Sequence, residues 1–216
     1  MEKHPVKISE TGYVTHNVKQ FKVEKPAGYT YVSGQATDVS INKPELEDDL
    51  HPFTFTSVNS DDHLEFTIKI YKERNGITAK LADINTGGEL IIHEVFGTIA
   101  YHQRGLFIAG GAGITPFISI LRQLRIDGKL AGNTLLFANH SPADIILKDE
   151  LTELLGENFV NVLKVPHGEV INADVLKPHA GKHANYYVCG PDKFTADMID
   201  ILKGFGVAEE QIIFEH

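Results

Sequence analysis

Cysteine is almost absent. Cys189 stands alone in 216 residues, so the chain holds no internal disulfide framework and no four-cysteine iron–sulfur cluster. Long hydrophobic runs are missing too. No stretch approaches the roughly 18 to 20 apolar residues that span a bilayer. The first ten residues, MEKHPVKISE, lack the apolar core of a secretion signal. Positive charge is scarce: 20 Lys and Arg against 29 Asp and Glu leave a formal net charge of −9. That disfavours nucleic acid, whose phosphates need clustered cations, and argues weakly against a strongly acidic protein partner. These absences together lead us to expect a cytoplasmic protein.

What is there suits a globular fold. Hydrophobic residues make up 42% and charged residues 23%, enough for one large core or two small ones. Histidine is plentiful, at eleven, which raises the question of a metal. His179 and His183 lie four apart in PHAGKH, but a glycine separates them and no carboxylate motif accompanies them. Surface or loop histidines are expected there, and no metal site.

The chain has two grammars. In the first half, YVTHNVKQFKV, TYVSGQATDV, PFTFTSV, LEFTIKIY and ELIIHEV alternate apolar and polar residues. Turn formers such as NSDD, ERNG and NTGG separate several of them, a pattern that predicts a small antiparallel barrel. One exception, GITAKLADI, predicts a short helix from Thr78 to Ile84. Past Arg104, apolar strands such as GLFIAGG, NTLLFANH and NYYVCGP alternate with helical patterns such as TPFISILRQLRI and DKFTADMIDILKGF. That predicts a parallel sheet covered by helices on both faces. The expected division is a barrel over residues 1–103 and an α/β domain over 104–216.

Two glycine turns carry the chemistry. AGGAGITP supplies Gly110, Gly111, Ala112, Gly113 and Thr115 between the first strand and first helix of the second half. Glycines there admit positive φ and close approach of a ligand, and the helix start offers free N–H groups to a diphosphate. VCGPDKF repeats the arrangement with Cys189, Gly190 and Pro191. In open parallel sheets, ligands gather at such carboxyl strand ends.

At these residues the chain resembles the ferredoxin–NADP reductase superfamily, over nearly its full length. HPFTFTS matches that family's flavin motif, usually Arg-x-Tyr-Ser/Thr. NGITAKL matches its phosphate turn and short helix, while AGGAGITPFISIL and VCGP match the two glycine turns of its nicotinamide domain. LLFANHSPADIILKDEL resembles the corresponding segment of NADH-dependent cytochrome reductases. HPFT resembles the variant found in ferric reductases and NADPH oxidases.

The resemblance implies a flavin-binding barrel followed by a Rossmann-like nicotinamide domain. It places His51 at the flavin phosphate, in place of the usual Arg. It sets Pro52 and Phe53 along the flavin strand, with Phe53 against the ring and the Thr54 hydroxyl near flavin N5. Lys69, Ile70 and Tyr71 run beside the flavin tail, and Gly76, Ile77 and Thr78 bind its diphosphate. A neutral His binds phosphate less firmly than a permanent guanidinium, so weaker flavin binding is expected. Thr54, Thr115 and Cys189 form the expected reacting centre, with Cys189 packing rather than attacking. Thr115 doubles as an expected helix N-cap. FAD is expected over FMN.

For the nicotinamide, Asn139 and Asp144 end the second parallel strand. His140 is the candidate cation beside them, with Lys148 able to reach back toward a 2′-phosphate, and NADH is favoured over NADPH, with Asp144 either facing the ribose or capping a turn. The expected activity passes hydride from NAD(P)H to FAD and then electrons to an acceptor, an unidentified molecule or small redox protein. Two alternatives are a reductase component of a multiprotein electron-transfer or oxygenase system, and a non-catalytic flavin or nucleotide sensor. Many relatives end in an aromatic near the flavin. This chain ends at His216, with Phe214 close by.

Overall fold

The computed structural model describes residues 2–215. The alternating first half builds β1 (His4–Thr15), β2 (Val18–Glu24), β3 (Ala36–Ile41), β4 (His51–Thr54), β5 (His63–Lys69), the short helix α1 (Ile77–Leu81) and β6 (Glu89–Phe96). The six strands form one antiparallel sheet in the order β4-β3-β6-β1-β2-β5. Inward-facing Val39, Phe66 and Leu90 fill its concave side, as strand periodicity requires. The sheet curls until a single Phe55–Phe66 bridge joins its two ends. β4 has four residues, too few for a full ladder, so the expected barrel is barrel-like and not closed.

Local boundaries shift from the sequence pattern. YVTHNVKQFKV is a hairpin, not one strand: Thr15 pairs with Val18 around a turn at His16 and Asn17. Only the ATDV end of TYVSGQATDV is strand, because Gly34 adopts φ +104° and lies against the carbonyl oxygen of Ile99, where a Cβ has no room. α1 starts one residue early and stops at Leu81, where the carbonyls of its last turn meet the ammonium of Lys19 on β2.

The second half follows as β7 (Gly105–Gly110), α2 (Thr115–Ile126), β8 (Thr134–Asn139), α3 (Lys148–Leu155), β9 (Phe159–Leu163), α4 (Ala173–Leu176), β10 (Asn185–Cys189), α5 (Asp192–Gly204) and β11 (Ile212–Phe214). Its parallel sheet runs β11-β10-β7-β8-β9. Leu106 and Ile108 face the side where α5 buries Met198 and Leu202, while Phe107 and Ala109 face α2. Burial on both faces explains the continuous apolar runs. The chain steps from β7 to β8 and β9 on one side, then crosses back to β10 on the other. The order reverses between β7 and β10, which opens a crevice at their carboxyl ends. No helix among the described residues is long and apolar enough to cross a membrane.

Candidate cofactor site

A cleft of about 1070 Å³ opens at that reversal. Its floor is the pair of glycine turns, Gly110–Gly113 after β7 and Gly190–Pro191 after β10. The antiparallel sheet contributes Lys69, Tyr71 and Arg74 to one wall, and the ends of β8 and β9 contribute Asn139, Asp144 and Lys164 to the other. A volume of this size holds a cofactor-sized molecule. A second cavity of about 740 Å³, beside Tyr101 and Arg104, holds none of the expected site residues.

The glycines line the cleft and also allow close packing beneath it. Only Gly111 of this set has positive φ, at +53°. A Cβ on Gly113 would strike the Cys189 carbonyl, so the two turns touch because position 113 is bare. Gly110 and Gly190 both lie under the ring of Phe194, which also lines the cleft and which sequence reasoning missed. Thr115 is the first residue of α2 rather than its N-cap. Its Oγ1 donates to the Ala112 carbonyl at 3.1 Å and closes the turn.

Cys189 faces this contact from the end of β10. Burial pushes its thiol up to about 12, and the nearby Glu215 carboxylate adds to the shift. A thiol held neutral in this way packs and does not attack. Glu215 was not anticipated. The chain folds back past β11 so that Glu215 Oε1 comes within 3.2 Å of where a Cβ on Gly97 would stand. Its residue keeps some solvent contact, yet burial of the carboxyl raises its pKa, against a backbone hydrogen bond at Thr98. Gly97 follows Phe96, which pairs with Ala36, which pairs with Thr54. Thr54 therefore lies on the edge strand of the sheet, two pairings from Phe96. Phe214 packs on the sheet core from β11. His216 lies outside the described residues.

His51, Pro52 and Phe53 are not among the residues that line the cleft. His51 Nε2 is 3.0 Å from Asp49 Oδ1, and Lys80 Nζ is 3.2 Å from Asp49 Oδ2. Those contacts, Lys80 first, hold the Asp49 carboxyl below the usual range. Pro52 is exposed and Phe53 packs half-buried on the core. Ile70 and Ile77 are buried, so only their backbone is available to a ligand. Tyr71 N–H donates to Thr78 Oγ1 at 3.3 Å, which ties the end of β5 to the turn of Gly76 and Ile77. Arg74 lies 4.6 Å and Lys69 5.6 Å from the Tyr71 ring centroid.

This donor set fits a flavin dinucleotide. The first N–H groups of α1 have no helical partner, and Lys69 and Arg74 lie against Tyr71, whose N–H is tied to Thr78 in that turn. It also fits a nicotinamide nucleotide. Asn139 is 8% exposed, lines the cleft and has an amide nitrogen with no hydrogen-bond partner. A buried donor left unspent favours a ligand acceptor. Asp144 does cap its turn: Oδ2 accepts from Ser141 N at 3.0 Å and from Ser141 Oγ at 2.6 Å. It lines the cleft as well, with Oδ1 3.7 Å from His16 Nε2. His140 is not the only cation there. The fold brings in Lys164 and Lys193, which adjacency in sequence did not reveal.

Comparison with known proteins bears on both halves. A profile described as an FAD-binding domain matches residues 3–90, and one described as an oxidoreductase NAD-binding domain matches residues 107–200. The chain is 28% identical to the reductase component of propane 2-monooxygenase from Rhodococcus jostii, over 88% of the chain and 56% of that protein. It is 26% identical to NADH-cytochrome b5 reductase 1 of Pyricularia oryzae, over 70% of the chain and 53% of that protein. The chain therefore spans just over half the length of both relatives. Its fold matches a ferredoxin NADP+ reductase from Neisseria gonorrhoeae, solved with bound FAD and NADP. The TM-score is 0.86 at 19% identity, covering 100% of this chain and 98% of that one.

Proposed function

We propose a function from family membership: the chain belongs to the ferredoxin–NADP reductase superfamily, and it acts as an NAD(P)H-dependent flavoprotein reductase. One observation carries this reading. Two touching glycine turns and the unpaired Asn139 amide share one cleft with cations of the antiparallel sheet. When bound, FAD accepts a hydride from reduced nicotinamide and releases electrons to an acceptor.

The chain's own residues position and tune. Lys69, Arg74 and the start of α1 hold the flavin diphosphate. Phe53 stacks on the flavin ring and Thr54 offers its hydroxyl to the ring edge. The turn from Gly110 to Gly113 and the start of α2 hold the nicotinamide diphosphate, and Asn139 donates to the nucleotide. Cys189 stays a neutral thiol and excludes water behind the nicotinamide. The Glu215 carboxyl, its pKa raised by burial, lies near the same corner. The reading retains an NADH preference, on the support of Asp144 in the cleft. A cytoplasmic location belongs to the same proposal.

The test is spectroscopic. Protein loaded with FAD should bleach when NADH is added anaerobically, and more slowly with NADPH. A loaded protein that bleaches with neither cofactor would instead be a sensor. A second reading, the reductase component of an oxygenase system, draws support from the Rhodococcus relative. Reoxidation of the bleached protein by a redox protein, but not by small acceptors, would favour it.

A further inference from the structure

Three polar residues on helix α2, Thr115, Ser119 and Arg122, are spaced i, i+4 and i+7, which puts them on one face. The two lower ones are anchored to the antiparallel sheet and its loops. Ser119 Oγ accepts from the Gly34 N–H at 3.0 Å. Arg122 Nη1 donates to the Thr56 carbonyl at 2.8 Å and to Glu65 Oε1 at 2.6 Å. Its Nε and Nη2 grip the Glu150 carboxylate of α3 at 2.6 and 2.8 Å. Thr56 Oγ1 donates to the same Glu65 oxygen at 2.8 Å.

This is not a surface ion pair. The Glu65 side chain is 6% exposed and that of Arg122 is 23%. Burial opposes the charge on Arg122, but Glu150 and Glu65 outweigh it and raise the pKa. A fork that bridges two carboxylates and a carbonyl fixes direction as well as distance, and breaking it strands a buried charge.

Thr115 sits seven residues toward the helix start, about 10 Å along the axis at 1.5 Å per residue. A helix pinned twice on one face cannot roll or slide without losing a charged hydrogen bond. We propose that Arg122 is a positioning residue: by clamping α2 to Glu65 and Thr56, it sets the nicotinamide turn at the start of α2 against the flavin side of the cleft. This rests on the reductase reading above. Each cofactor is held mainly by its own sheet, so loss of the clamp leaves binding intact and disturbs only their alignment. Reacting atoms must approach to roughly 3–3.5 Å, and a misplacement of about 1 Å costs up to ~100-fold in rate.

Two variants test this. Arg122→Lys keeps a cation but loses the fork. Arg122→Ala combined with Glu65→Gln and Glu150→Gln removes the clamp without stranding either carboxylate charge. Stopped-flow anaerobic reduction by NADH gives the limiting rate and the half-saturating concentration. Fluorescence titration gives the FAD Kd, and deuterium exchange reports on residues 97–104, which link the two sheets. The limiting rate is expected to fall at least about tenfold, with FAD Kd and half-saturating NADH within about twofold and faster exchange in 97–104. Flavin-loaded variants with wild-type limiting rates would overturn the proposal, as would an equal loss in FAD affinity, which marks a merely local role. If wild type is not reduced by either nicotinamide, the reductase reading fails instead. Exchange then decides the clamp alone, and unchanged exchange in 97–104 rejects it.

Discussion

The ammonium of Lys19 lies 2.7 Å from the carbonyl oxygen of Ile84. It also donates to the carbonyls of Ala82 at 2.9 Å and Leu81 at 3.4 Å, from a residue only 3% exposed. Leu81 and Ala82 stand at the end of α1 and Ile84 in the turn beyond it, where the helix itself supplies few N–H partners. Lys19 thus ties β2 to the far end of α1, whose near end is the proposed diphosphate turn.

Lys19→Met should therefore loosen α1. Leaving buried carbonyls unpaired costs about 1–3 kcal/mol, which urea denaturation of the apoprotein would read. FAD affinity should drop with it. Unchanged stability and affinity would show that the carbonyls find other partners. Burial also lowers the Lys19 pKa. The unfolded chain then binds more protons between the lowered value and about 10.4, so wild-type stability should gain on Lys19→Met as pH rises through that window.

Phe53→Ala should weaken FAD retention by on the order of 1 kcal/mol, roughly fivefold in Kd, through loss of ring stacking. Because Phe53 also packs on the core, the variant must be shown to be folded by circular dichroism. A folded variant with wild-type FAD affinity would remove Phe53 from the flavin site.

Glu215→Gln has a signed pH dependence. The folded pKa is raised, so the folded chain holds the proton longer than the unfolded one. The associated stability is full below about 4.3 and is lost as pH rises through the raised value. Wild type should therefore lose stability relative to Glu215→Gln across that window. Thermal melts of the apoprotein between about pH 4 and 8 would show it, and parallel curves would reject the assignment.

Cofactor choice can be divided between two residues. Asp144→Ala should narrow the preference for NADH, at a cost of about 1 kcal/mol for the lost cap. Lys164→Ala should widen that preference by removing a cation available to a 2′-phosphate. Values of kcat/KM with both nicotinamides decide it. A wild type several-fold better with NADPH would reverse the assignment.

Much of the fold was legible in the residues. Strand alternation, the change to apolar strands after Arg104 and the two glycine turns are local signals, written within a few residues of each other. The hairpin at His16 and Asn17 was less legible, because alternation continues through it and only long-range pairing reveals the reversal. The early end of α1 was hidden likewise, since Lys19 lies 62 residues before Leu81.

The sequence by itself determined the two sheets, their order along the chain and the turns that form the floor of the cleft. Each depends on periodicity or on glycine, whose effects act on the backbone nearby. Only the tertiary structure decided that Glu215 sits near Cys189, that Lys164 joins Asp144, that Asn139 keeps an unspent donor and that Arg122 reaches Glu65. Electrostatics and hydrogen bonds act through space, between groups the chain brings together from far apart, and no spacing along the chain records them.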